Sequence, residues 1–131
     1  MKILNNFLKV VLSLMLVMPI VGSLGIFPAP TADMYNTPEA FNFIQIMMDS
    51  GYITMMMSVV FLIALVSLWT GRVALAALLL LPITLNIVGF HAFLDGGLFK
   101  MGALMGNILL ILNVYFLCQT KRQWMGLFRK G

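Results

Sequence analysis

The chain has 131 residues, of which 62% are hydrophobic and only 9% charged, and its mean hydropathy is +1.05. Few soluble domains are this apolar, so the composition excludes an ordinary water-soluble fold and calls for lipid as the solvent. The formal net charge of +4 would suggest nucleic-acid binding in a soluble chain, but most of the basic residues flank apolar runs, and no nucleic-acid partner is expected.

A helix that spans the roughly 30 Å hydrocarbon core needs about 20 apolar residues, because it rises about 1.5 Å per residue. Four stretches approach that length: 10–27, 53–69, 73–93 and 101–118. The expected fold is therefore all-α, an integral membrane four-helix bundle in a single domain covering 1–131. Because Lys2 precedes an apolar run and the small residues Ala29 and Ala32 follow it, the first stretch also invites a secretory-signal reading. That run is longer than a usual signal core, however, and Pro28 and Pro30 crowd the cleavage position, so it is read as a span.

The loop between the first and second stretches contains an internal helix signal over 38–49. Thr37 suits the N-cap, Pro38 the first helical position, and Glu39 complements the helix dipole. Phe41, Ile44 and Met48, joined by Phe43 and Met47, form one broad apolar face, with Asn42, Gln45 and Asp49 mostly opposite. The expectation is an interfacial helix, ended by Ser50-Gly51, that acts as a lid on the bundle mouth. Further along, Thr70-Gly71-Arg72 and Asp95-Gly96-Gly97 are tight reversals that make spans two, three and four antiparallel neighbours.

Lys2, Lys9, Arg72, Lys121, Arg122, Arg129 and Lys130 fall on one side of a four-span arrangement. Asp33, Glu39, Asp49 and Asp95 fall on the other, with Lys100 as its only base. Positive residues are retained in the cytoplasm, so both termini and the basic tail 119–131 are expected there. Tyr52 and Trp69 bracket the second span as interface aromatics. Trp124, Met125, Leu127 and Phe128 could rest on anionic headgroups or form a ragged tail.

A polar group inside a span is a functional candidate by default. Counting rise along the helices puts Asn86 and Asn107 at similar depth on neighbouring spans, and a hydrogen bond between them would brace the bundle. Pro82 should kink the third span and free a carbonyl that Asn86 or Thr84 could answer. Gly102 and Gly106 form a flat stripe for close packing, within the bundle or in a homodimer.

His91, the one histidine, has Asp95 one turn later on the same face. The pair suits an end cap for the third span or, alternatively, a proton relay or ligand contact beneath the lid. The candidate ligand-binding residues are accordingly His91, Asp95, Asn86, Asn107 and Gln45. The single cysteine, Cys118, excludes an internal disulfide, and no Cys/His cluster has metal-site spacing. Twelve methionines admit a thioether copper reading, but no His or Cys converges with them, and they are read as gap fillers.

The run from Gly51-Tyr52 through Thr70-Gly71-Arg72-Val73 to Leu81-Pro82-Ile83-Thr84-Leu85-Asn86-Ile87-Val88-Gly89-Phe90-His91-Ala92-Phe93-Leu94-Asp95 resembles the DoxX-like family of small bacterial membrane proteins over about 50–117. The resemblance implies a four-helix membrane bundle, which in some relatives is part of a thiosulfate:quinone oxidoreductase and in many has no assigned activity. Family members often carry a glutamate in the second span where this chain has Phe61. No nucleophile-base pair or phosphate loop is visible. The leading expectation is a non-catalytic accessory or subunit protein whose lid and bundle mouth meet a membrane protein partner or a lipophilic ligand. The alternatives are a quinone-binding subunit of a redox complex and a small-solute carrier, the last disfavoured by spans that lack buried charge.

Overall fold

The computed structural model describes residues 1–131, and the chain is helical with no strand. Six α-helices occur in order: α1 (Lys2–Gly22), α2 (Pro38–Ser50), α3 (Tyr52–Trp69), α4 (Val73–Phe93), α5 (Leu104–Gln119) and α6 (Lys121–Met125). Short 3-10 turns lie at Ala32–Met34, Met101–Ala103 and Gly126–Phe128. Four of these elements, α1, α3, α4 and α5 with its leading turn, are long and apolar enough to cross a membrane.

The four long helices form a closed ring in which α1 packs on α3, α3 on α4, α4 on α5, and α5 back on α1. Gly71, at φ +82°, makes the reversal between α3 and α4, and the Arg72 N–H donates to Ser67 O at 2.9 Å. At the centre lie Leu12, Leu16, Phe61, Ala64, Leu68, Ala76, Ala77, Leu80, Leu109, Leu112 and Phe116. The alanines on α3 and α4 let those helices approach closely, while Phe61 and Phe116 fill the space left over. Residues facing outward are apolar as well, among them Leu14, Val59, Leu62, Val66 and Ile111. Helices that are apolar all round match a hydrocarbon surrounding better than water.

The first long helix is displaced from its predicted bounds of 10–27. It begins at Lys2 because Asn5 and Lys9 are accommodated within the helix. The Asn5 side-chain oxygen accepts from the Tyr115 hydroxyl and from Gln119 Nε2, the latter at 2.8 Å, and the Lys9 ammonium stands 5.9 Å above the Trp69 ring. It ends at Gly22, soon after Pro19. There the Ser23 hydroxyl donates to Ile20 O at 2.7 Å, and Gly25 takes φ +75°. The predicted 38–49 helix is present as α2, with Thr37 Oγ1 accepting from Ala40 N at 3.1 Å and Gly51 left-handed at φ +73°. The tail is ordered rather than ragged, since Trp124 Nε1 donates to Leu117 O at 2.7 Å and α6 packs against α4.

Polar bracing of the helices differs from the expected Asn86–Asn107 bond. Asn86 is exposed on α4, and Asn107 Nδ2 donates to Leu98 O at 2.9 Å, pinning the α4–α5 connection. The bracing amide is Asn113, which is fully buried. Its Nδ2 donates to Ala77 O at 2.9 Å, and its Oδ1 lies 3.0 Å from the Thr84 hydroxyl. Pro82 lacks the N–H that would bond Leu78 O in the α4 ladder; neither Asn86 nor Thr84 answers that carbonyl, the Thr84 hydroxyl lying 3.0 Å from Leu81 O and the Asn113 amide donating one residue earlier, to Ala77 O. Asn113→Ala is expected to lower unfolding free energy by about 1 kcal/mol, the scale of interhelical hydrogen bonds in membrane bundles. Denaturation in detergent micelles measures it, and the Thr84→Val, Asn113→Ala pair should be less than additive because the two side chains share one bond.

Candidate functional site

The end of α4 holds the densest polar cluster. The helix stops at Phe93, and Gly96 and Gly97, at φ +86° and +112°, fold the chain back so that the Gly97 N–H donates to His91 O at 2.8 Å. This reversal leaves Asp95 one turn beyond His91 and turns its side chain inward, where the residue is only 1% exposed. Burial of a carboxylate is tolerated when its oxygens are met by donors. Asp95 Oδ2 lies 3.0 Å from His91 Nδ1, and Oδ1 accepts from the backbone N–H of Asn36 at 2.8 Å.

The Asn36–Thr37 segment, from the loop after α1, completes the knot. Asn36 Nδ2 donates to Asp95 O at 3.1 Å, and the Thr37 hydroxyl donates to Leu94 O while accepting from Ala40 N as the cap of α2. Three hydrogen bonds thus staple the loop before α2 to the C-terminus of α4. The expected His91–Asp95 pairing is present, and Asn36 is its third member. Asn36 had no signal in the sequence, because the bond joins residues 59 positions apart through a backbone amide.

The Gly102 and Gly106 stripe is the floor beneath the imidazole. A methyl group at Gly102 would sit 3.8 Å from His91 Cε1 and 3.5 Å from Asp95 Oδ2, and one at Gly106 would sit 3.6 Å from His91 Cδ2. The ring edge bearing Nε2 therefore lies along the glycine face of α5. The roof is aromatic. Phe90 stacks edge-on with His91 at 5.0 Å and with Tyr35 at 6.3 Å, and its ring is 5.7 Å from Phe43 of α2. The Tyr35 phenol is held above its ordinary pKa by partial burial, with the negative charge of Asp95 adding to the effect.

Comparison of the chain with family models, curated proteins and solved structures returns no match in any of the three. Both oxygens of Asp95 are engaged, so the carboxylate orients the ring and anchors the loop. With Nδ1 bonded to a carboxylate, a neutral His91 carries its proton there and offers Nε2 as an acceptor. Nε2 has no hydrogen-bond partner within the chain. That arrangement can take a hydrogen bond from a hydroxyl donor.

Of the remaining sequence candidates, Asn107 reaches the same connection through Leu98 but makes no bond to the knot. Gln45 is exposed on α2, and Asn86 is exposed on the outward face of α4; neither makes a side-chain hydrogen bond to the knot. The candidate residues thus separate into a knot of His91 and Asp95, a nearby pin at Asn107, and two free amides.

Proposed function

We propose that the chain is a multi-pass membrane protein of DoxX-like type that works as a non-catalytic accessory subunit, with its basic end in the cytoplasm. The four membrane-capable helices and the order of Pro82, Asn86 and Phe90-His91 along α4 support the type. The segregation of Lys and Arg from Asp and Glu supports the orientation. The observation that carries the subunit role is Asn86. It stands roughly 20 Å along α4 from Val73, at a depth where water does not replace a missing hydrogen bond.

Asn86 is exposed and its amide has no partner within the chain. Pro82, Gly89 and Phe93 share its face at helical spacing, and a methyl group at Gly89 would meet nothing within 4 Å. A second helix can approach such a face closely and answer the amide. Intact-mass measurement of the gently extracted assembly tests this. A second protein chain should copurify with the wild type and be lost on Asn86→Leu, with the melting temperature kept. A chain retained in that variant, or no chain at all, would overturn the subunit role.

A second reading, a quinone-binding redox subunit, is favoured by the unpartnered Nε2 of His91, whose ring packs edge-on against Phe90 while Tyr35 and Phe43 pack against Phe90 in turn. Here the same experiment should retain a quinone-sized mass that His91→Ala releases.

A further inference from the structure

The opposite end of the bundle holds a cavity of about 620 Å³ whose lining has a different character. The first turns of α1 contribute Lys2, Asn5, Asn6 and Lys9, the α5–α6 junction contributes Gln119, Thr120 and Gln123, and Phe116 forms part of the wall. Both charged groups are positive. The chain's four carboxylates, Asp33, Glu39, Asp49 and Asp95, lie in the connections at the other end, and its only ion pair is His91–Asp95, so neither lysine is neutralised from within.

Amide orientation adds to this. The Asn5 side-chain oxygen is occupied by the Tyr115 hydroxyl and by Gln119 Nε2, leaving its Nδ2 as a free donor. Gln119 Nε2 also donates to Tyr115 at 2.8 Å, so the three side chains hold one another in place. The side-chain amides of Asn6 and Gln123 make no hydrogen bond within the chain, and both residues line the same space. Lys9 is steadied over the Trp69 ring at 5.9 Å, which positions its ammonium without removing its charge.

Two unpaired ammonium groups and several amide donors around a space of this size suit an anion with many acceptor oxygens. We propose that this cavity binds a phosphate-bearing anion, and that its source is the headgroup of an anionic phospholipid. The cavity lies at the ends of apolar helices, where a lipid phosphate would sit, and each cation near such a surface adds to the attraction.

The test uses full-length protein in a neutral maltoside detergent, with phosphatidylglycerol, phosphatidylcholine or inorganic phosphate added, read by intact-mass adducts and thermal shift. Phosphatidylglycerol should be retained over phosphatidylcholine. Its affinity should fall about tenfold or more in a Lys2→Gln, Lys9→Gln variant and stay unchanged in an Arg129→Gln, Lys130→Gln variant. Asn6→Asp, which adds a negative charge at the cavity wall, should weaken binding even if the lysine variant does not fold. Lysine-dependent protection by inorganic phosphate, without a preference between the lipids, would keep the phosphate chemistry and reject the headgroup as its source. Phosphatidylglycerol binding that survives both cavity variants, or that depends on Arg129 and Lys130 instead, would overturn the site.

Discussion

Asp95→Ala is expected to destabilise the protein by about 2–4 kcal/mol, because it removes an acceptor from the part-buried Asn36 N–H and the buried partner of His91 Nδ1 together. The loss should be local before it is global. With the carboxylate gone, the segment from Ala32 to Thr37 is held mainly by the Thr37–Leu94 bond and by the Asn36 side chain on the backbone carbonyl of residue 95, and its amides should exchange faster than those of α3 or α5. Asp95→Asn retains an acceptor oxygen and should lie between the wild type and the alanine variant. Asp49→Ala, a change at an exposed position of α2, should be nearly neutral. Chemical denaturation in micelles, combined with amide exchange, reads both effects. An Asp95→Ala protein within about 0.5 kcal/mol of the wild type would show that the carboxylate does not hold the loop.

Gly106→Ala is the second substitution with a large expected effect, about 1–3 kcal/mol. The added methyl group would stand 2.9 Å from Ile87 Cγ2, a branched side chain that cannot swing aside without moving α4. Gly102→Ala, on the same stripe, would put its methyl group at an ordinary 3.5 Å from Asp95 Oδ2. It should be close to neutral, since alanine favours the helical backbone that follows. The two glycines thus look equivalent in sequence and differ in energetic weight. Combining Gly106→Ala with Ile87→Ala should restore part of the lost stability, which a general intolerance of α5 to larger residues would not do.

Much of the architecture was legible in the residues. Apolar runs of spanning length, the Thr70-Gly71-Arg72 reversal and the Thr37-Pro38-Glu39 start of α2 each rest on local chemistry, and each appears in the fold. The bounds of α1 were misjudged because the count of apolar residues set Lys2 and Lys9 ahead of the first span and passed over Asn5. The positions of Asn5 and Lys9 inside the helix depend on Tyr115 and Gln119 at the far end of the chain and on Trp69 of α3. Polar bracing was misassigned for a related reason. Matching depth placed Asn86 near Asn107, but depth says nothing about rotation around a helix, and rotation turns Asn86 outward. The same depth count applied to Asn113 sets it level with the stretch between Ala77 and Thr84, so that signal was present and unused.

By itself the sequence determined a helical chain with four membrane-capable spans, a basic end and an acidic end, and a His91–Asp95 pair one turn apart. Spacing within a helix is local geometry, and the solvent preference of a 20-residue run is a sum over its side chains, so neither needs the fold. Only the tertiary structure decided that Asn36 completes the knot, that Gly106 rather than Gly102 carries the close approach of α4 and α5, that Asn113 is the buried brace, and that Lys2 and Lys9 share one cavity. Each of these depends on how far one helix is rotated against another, and packing across the bundle sets that rotation.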